Sequence, residues 1–198
     1  MKLSDEQLML QVKKGSHESF HELVERHKLA VLNMCLRFTR NKEDAEDLAQ
    51  DVFLRIFQAA PRYQESALFT TYLYRVTLNV CLNHQRRKKI LRFFSLNGKP
   101  GNGSEKDDRT PAYQIADSNK PDLEIEKYET QQFVQKAIDS LPENQKVAVI
   151  LFRYLNLSYQ EIAEILDTTV TAVESRLHRA KLNLKKKLEP LREEFHLS

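Results

Sequence analysis

Glycine and proline are scarce, at 4 and 6 of 198 residues. Few positions can therefore interrupt a helix, because these two residues are the strongest breakers of one. Charged residues make up 30% of the chain, with Leu, Glu, Lys and Gln abundant. Straight-chain side chains lose little rotamer freedom in a helix, so this balance favours helix over strand. Cysteine is limited to Cys35 and Cys81, each in an apolar helical run and neither with a partner at metal-ligand spacing. Both read as buried thiols in a reducing cytoplasm, not as a disulfide framework or a metal clip. No apolar run approaches the roughly 20 residues of a membrane span. The stretch Met1-Lys2-Leu3-Ser4-Asp5-Glu6 has no apolar signal core. A cytoplasmic protein without membrane insertion is expected. A glycine-rich phosphate loop is also missing, which argues against a nucleotide-hydrolysing enzyme.

What the chain does have is patterned charge. The formal net charge is only +3, yet basic residues crowd the ends of two helical segments while residues 105–129 lean acidic. Local basic faces point to a polyanionic partner held by defined surfaces. Ser4-Asp5-Glu6-Gln7 has the form of a capping box, opening a short helix that stops near Gly15. Ser16 caps a second helix, on which Phe20, Leu23, Val24, His27, Ala30, Val31 and Met34 recur at helical spacing. Asn41 caps a third, with Ala45, Leu48, Ala49, Val52, Phe53 and Ile56 on one face and Pro61 soon after its end. A loop from Tyr63 to Leu68 leads into a long helix from about Phe69 to Phe93. These four helices make a first domain over residues 1–94.

Over residues 95–121 the periodicity collapses. Asn97-Gly98-Lys99-Pro100-Gly101-Asn102-Gly103-Ser104 is loop chemistry and Glu105-Lys106-Asp107-Asp108 is solvated charge, so a flexible linker is expected. Over 122–198 the helical pattern returns with Leu123, Ile125, Phe133, Val134, Ala137, Ile138 and Leu141. Pro142 suits the first turn of the next helix, which carries Val147, Ile150, Leu151 and Tyr154. Ser158-Tyr159-Gln160-Glu161 is a second capping box, opening a short helix with Ile162, Ala163, Ile165 and Leu166. Asp167-Thr168-Thr169 breaks it, and a final helix follows from about Val170 to Leu188, closed by Pro190. The expected fold is all-α: two small helical domains joined by a flexible linker.

A short amphipathic helix, a polar break and a longer basic helix make a helix-turn-helix in the second domain. Ala163 is small where the two helices must approach, and Val173 and Leu177 supply the buried side of the second. Arg176, Arg179, Lys181, Lys185, Lys186 and Lys187 occupy the rest of its surface. Cations there neutralise phosphates and release counterions, while residues near the helix start reach base edges. The candidate DNA contacts are Ser158, Thr169, Thr171, Ala172, Glu174, Ser175, Arg176 and Arg179. Glu174 can accept a hydrogen bond from a cytosine amine or pair with His178 one turn on, and the sequence favours neither. A solvated lysine-rich surface helix is the plain alternative. Basicity alone does not exclude it; the cap, small residue and break together favour DNA.

An enzyme has less support. Glu18-Ser19-Phe20-His21 has the spacing of carboxylate-bridged metal sites in helical bundles. Its second copy, Glu193-Glu194-Phe195-His196, follows Pro190, where no bundle core is expected, and His17 and His21 lack a third ligand. No catalytic residue, metal or cofactor is expected.

In the first domain, Asp44, Glu46, Asp47 and Asp51 set carboxylates around an apolar stripe. The helix dipole accounts for Asp44 but poorly for the cluster of Asp47, Gln50 and Asp51. The run Asp44-Ala45-Glu46-Asp47-Leu48-Ala49-Gln50-Asp51-Val52-Phe53-Leu54-Arg55-Ile56-Phe57 resembles the core-binding helix of bacterial RNA polymerase sigma factors. Leu141-Pro142, Leu157-Ser158-Tyr159-Gln160-Glu161-Ile162-Ala163 and Ala172-Val173-Glu174-Ser175-Arg176-Leu177-His178-Arg179-Ala180 resemble the same family's fourth domain. The order of the two motifs, the short length and the missing middle domain resemble the extracytoplasmic-function (ECF) group.

The resemblance implies that Asp44, Glu46, Asp47, Leu48, Gln50, Asp51 and Phe53 dock on the largest subunits of core RNA polymerase. It implies that Tyr63, Phe69, Thr71, Tyr72, Arg75, Asn79, Asn83, Arg86 and Arg87 contact the minus-ten element of promoter DNA. The second domain would then read the minus-thirty-five element. An anti-sigma protein is a further partner that family members often have. Phe69-Thr70-Thr71-Tyr72-Leu73 has Tyr72 where the family usually has a tryptophan. Aromatics with small polar residues suit stacked, unpaired bases, although Phe69, Tyr72 and Leu73 also read as core at a helix start. Asn79, Asn83 and Arg86 share a helix face, whereas a basic helix end also complements the dipole. A stand-alone DNA-binding regulator is the competing class, and dependence on core polymerase separates the two.

Overall fold

The computed structural model describes residues 3–65, 67–97, 130 and 132–194. The chain divides into two compact units, Met1–Ala112 and Tyr113–Ser198. Among the described residues there is no strand, and the fold is all-α. Of the linker expected over 95–121, residues 95–97 are helical instead, and 98–121, with Leu123 and Ile125 after them, lie outside the described residues.

Among its described residues the first unit has four helices: α1 (Asp5–Lys13), α2 (His17–Thr39), α3 (Lys42–Ala59) and α4 (Phe69–Asn97). Local chemistry sets most of their ends. Ser4 and Gln7 form a reciprocal capping box that opens α1. Gly15 takes φ +96, a left-handed value open to glycine at no steric cost, and the chain turns there into Ser16, the cap of α2. Arg40 adopts a left-handed conformation at φ 58, and the Asn41 side chain accepts from Asp44 N at 2.8 Å, so two adjacent residues reverse the chain between α2 and α3. A single 3₁₀ turn, Ala60–Arg62, carries Pro61 after α3. Helix α4 runs to Asn97, a turn beyond the expected end at Phe93. The first helix breaker it meets is Gly98.

The core of this unit draws on every helix: Met9, Leu23, Met34, Val52, Ile56 and Leu73 are all closed to solvent. Truncating one such leucine to alanine costs about 2–5 kcal/mol. Cys35 of α2 and Cys81 of α4, 46 residues apart, meet there with their sulfurs 3.8 Å apart. The Cys81 thiol is held above its ordinary pKa, first by its contact with Cys35 and then by burial.

The second unit has α5 over 132–139, then α6 (Glu143–Val149), a π turn over Ile150–Tyr154, α7 (Tyr159–Ile165) and α8 (Val170–Glu194). Pro142 is the cap residue before α6, one position ahead of its expected place in the first turn. The wide turn after α6 keeps Ile150 and Leu151 in the core and turns Phe152 outward, where its ring packs on Tyr159 at 5.3 Å. Ser158 and Glu161 cap α7 reciprocally. Ile162, Ala163 and Ile165 of α7 and Val173 and Ala180 of α8 are buried in the core, and Asn183 Nδ2 donates to Gln145 Oε1 at 2.8 Å, tying α8 to α6. Helix α8 passes Pro190, the residue expected to close it, and reaches Glu194. Proline there gives up the bond to the carbonyl four residues back and crowds it, so the helix continues past Pro190 at a cost.

Candidate nucleic-acid interface

The break between α7 and α8 is built from three hydrogen-bonding residues. Asp167 takes a left-handed φ of 49, a conformation that a short polar side chain tolerates. Thr168 N donates to the Ala163 carbonyl at 3.0 Å, and Thr169 Oγ1 accepts from Ala172 N at 3.2 Å, capping α8. With Val173 and Ala180 turned into the core, Thr171, Glu174, Ser175, His178 and Arg179 form one exposed stripe along the first turns of α8. Glu174, Ser175, His178 and Arg179 line a shallow, open depression on it. Arg179 Nε donates to the Ser175 carbonyl at 3.1 Å, which aligns the guanidinium along the helix. Ala172 and Arg176 are half-buried, and Lys181, Lys185, Lys186 and Lys187 are exposed further on.

Two details refine the sequence reading of this face. His178, not among the contacts expected from the sequence, lies within the stripe, three and four residues from Ser175 and Glu174. Ser158 is committed to its cap, donating to Glu161 Oε2 at 2.7 Å and accepting from Glu161 N at 3.3 Å. These bonds from Ser158, side chain first and backbone second, hold the Glu161 carboxyl below the ordinary carboxylate range.

In the first unit, α4 presents Tyr72, Arg75, Asn79, Asn83 and Arg86 at successive steps of three and four residues, with Arg87 beside them. Tyr72 is half-buried and the others are exposed. The remaining candidates from this set lie inside: Phe69 is 1% exposed, Thr71 4% and Tyr63 8%. The Tyr72 ring sits 6.0 Å from Tyr63 and 6.4 Å from Phe69. Burial pushes the Tyr63 phenol up to about 12, with the charges of Glu6 and Glu65 adding to it. Burial likewise raises Tyr72. Helix α1 meets this corner through Lys13 Nζ, 2.8 Å from the Tyr63 carbonyl, and Glu6 Oε1, which accepts from Phe69 N at 2.9 Å. That bond from Phe69 is the main cause of a lowered Glu6 pKa. Neither Glu6 nor Lys13 could be found from local sequence, since their partners lie 63 and 50 residues away.

Helix α3 carries the acidic set. Asp47 and Gln50 are exposed, Leu48 and Phe53 half-buried. Asp51 pairs with Arg55 at 2.9 Å and Glu46 with Lys42 at 3.8 Å. Asp44 is ion-paired to Lys88 and lies 3.7 Å from His84, so part of its charge is spent within the unit. Leu54 and Phe57, 54% and 37% exposed, extend the Gln50–Phe53 face and were missed in the sequence. Phe57 packs on Phe20 at 4.9 Å and stacks on His17 at 5.7 Å. The second half of the Glu-x-x-His pair, His196, lies outside the described residues.

Comparison with known proteins places these faces in a family. The Sigma-70 region 2 family matches residues 23–90, and Sigma-70, region 4 matches 133–184. The ECF RNA polymerase sigma factor SigW of Bacillus subtilis is 31% identical over 182 residues, covering 91% of this chain and 95% of its own length. The chain belongs to the ECF sigma factors. Other sigma factors match it along nearly their whole length. RNA polymerase sigma-H factor of Pseudomonas aeruginosa is 28% identical over 94% of this chain and 95% of its own. ECF RNA polymerase sigma-E factor of Escherichia coli is 29% identical, over 96% of each. The fold is shared with CnrH, solved with the cytosolic domain of CnrY, at a TM-score of 0.67 and 22% identity over 94% of this chain and 97% of that one. It is also shared with RpoE of Bartonella quintana, at a TM-score of 0.63 and 21% identity over 87% and 98%. Sigma factors direct promoter-specific transcription initiation. The region 2 match spans the α3 and α4 faces, and the region 4 match spans the α8 stripe.

Proposed function

We propose that this ECF sigma factor docks on the largest subunits of core RNA polymerase through α3, captures the minus-ten element with α4 and the segment before it, and reads the minus-thirty-five element with α8. The observation that carries this reading is an exposed polar and cationic stripe in each unit, accompanied in the first by an acidic face with apolar side chains at its centre. Residues 1–94 form the polymerase and minus-ten domain, 122–198 the minus-thirty-five domain, and 95–121 the tether between them. A tether lets one anchored protein engage two elements, because the first contact raises the effective concentration of the second.

On α3, Asp47, Gln50 and Asp51 supply complementary charge and Phe53, Leu54 and Phe57 supply apolar area to bury. Asp44, Glu46 and Leu48 border that surface. On α4, Arg75, Arg86 and Arg87 engage phosphates, Asn79 and Asn83 engage base edges, and Tyr72 stacks on an unpaired base. Tyr63, Phe69 and Thr71 support this surface from inside. On α8, Arg176 and Arg179 bind phosphates or guanine edges, and Thr171, Ala172, Glu174 and Ser175 meet bases in the major groove. Thr169 and Ser158 cap the starts of α8 and α7. The chain contributes contacts and no covalent step. An anti-sigma protein is a proposed further partner, as NepR is for RpoE of Bartonella quintana. Among the described residues no helix is long and apolar enough to cross a membrane, and work on polymerase places the chain in the cytoplasm.

Changing both Asp47 and Asp51 to Lys tests the docking face. The expected result is loss of co-elution with core polymerase while circular dichroism and the unfolding transitions stay those of the parent. A complex that survives the charge reversal overturns the assignment of α3.

A further inference from the structure

Helix α1 lies outside the residues matched to Sigma-70 region 2, which begin at 23. Its apolar side, Leu8, Met9 and Val12, accounts for its packing. Its polar contacts do something else. Lys13 Nζ donates to the carbonyl of Tyr63 at 2.8 Å, and Glu6 Oε1 accepts from the backbone N–H of Phe69 at 2.9 Å. Glu6 and Lys13 stand seven residues apart, about two turns or 10 Å along one helix face. Tyr63 and Phe69 are the two ends of the segment that leads into α4. One short helix therefore grips both ends of that segment.

The grip is anchored from behind. Asp5 takes Arg26 Nη1 at 2.6 Å and lies 2.7 Å from His27 Nε2. Arg26 Nη1 also donates to the Leu3 carbonyl at 2.9 Å. The His27 ring in turn packs on Phe69 at 5.6 Å. Contacts thus run from α2 through α1 to both ends of the segment. Inside the corner they define, the Tyr63 hydroxyl is buried and has no hydrogen-bond partner among the described residues, beside the half-buried ring of Tyr72. A buried hydroxyl left without a partner is costly, and a bound ligand that offers one recovers part of that cost.

We propose that α1 is a clasp for the segment between Tyr63 and Phe69, and that Glu6 and Lys13 are positioning residues for capture of an unpaired promoter base beside Tyr63 and Tyr72. The inference rests on the assignment of minus-ten capture to this corner. Fixing both ends of a short segment removes most of its conformations before DNA arrives, so less entropy is lost on capture. Neither residue touches the base; each acts through the backbone it holds.

The test uses the full chain bound to core polymerase and two probes from a promoter identified by start-site mapping with the parent protein. One probe is the single-stranded non-template minus-ten oligonucleotide, and the other is duplex promoter carrying a fluorescent adenine analogue that reports opening. Glu6→Ala with Lys13→Ala is expected to weaken oligonucleotide capture and slow opening by about tenfold, with co-elution of the core complex unchanged. Glu6→Gln, whose amide oxygen still accepts from Phe69 N–H, is expected to retain most of the capture, as is Lys13→Arg. Capture equal to the parent in the double variant overturns the clasp. So does a loss that only follows the melting temperature, with Glu6→Gln no better than Glu6→Ala at equal stability. Failure of the parent complex itself to bind the oligonucleotide overturns minus-ten capture, and the clasp with it.

Discussion

Ser158 and Glu161 satisfy each other's backbone and side-chain groups at the start of α7, and the pair has a pH signature. The Glu161 carboxyl is held below its ordinary value of 4.5. A depressed carboxylate contributes stability that is fully present above its unfolded pKa and is lost as pH falls through the folded one. Ser158→Ala should cost the second unit about 1 kcal/mol at neutral pH. In denaturant titrations the gap between parent and variant should narrow as the pH drops below 4.5. A gap of constant size across that range would assign the loss to something other than the ionised cap. Both capping boxes, at Ser4 and Ser158, were legible because each lies within four consecutive residues. The contact of Cys35 with Cys81 was not, since it depends on how α2 crosses α4. The same holds for Glu6 and Lys13, whose meaning appears only when α1 meets the ends of a distant segment.

At the level of the element, the exposed stripe of α8 separates two arginines that the sequence treated alike. Arg179 is exposed and Arg176 half-buried. Changing both to alanine should weaken binding to the minus-thirty-five element and flatten its salt dependence by about one to two units of slope. Arg179→Ala alone should account for the larger share. Fluorescence anisotropy over a salt series measures this, and an unchanged affinity and slope would remove both from the interface. The periodicity of apolar residues located the helices among the described residues, because the core-facing side of a helix repeats at a spacing that neighbouring residues reveal. It could not reveal the π turn after α6, since one inserted residue mimics ordinary drift of the pattern. The family resemblance put Tyr63, Phe69 and Thr71 among the candidate DNA contacts, and the fold buries them. At a helix start, aromatic and small polar residues suit a core and a nucleic-acid surface equally well.

For the whole molecule, the chain has two units, each with its own buried core. Their separate faces are useful only if a common support holds both near one promoter. That support is what distinguishes a sigma factor from a regulator that finds its operator alone. The docking role proposed for the acidic and apolar face of α3 is the part of the account that a stand-alone regulator would not need. Family membership is decided by the two regional matches and the near full-length relatives, and the division of labour between the units is the part open to experiment. The most direct measurement is transcription reconstituted from purified core polymerase and genomic DNA, with start sites mapped with and without this chain. Adding it should create a new set of start sites that share two upstream elements at fixed spacing. An unchanged set of start sites, or tight binding to those elements by the chain alone with no association to core polymerase, would contradict it.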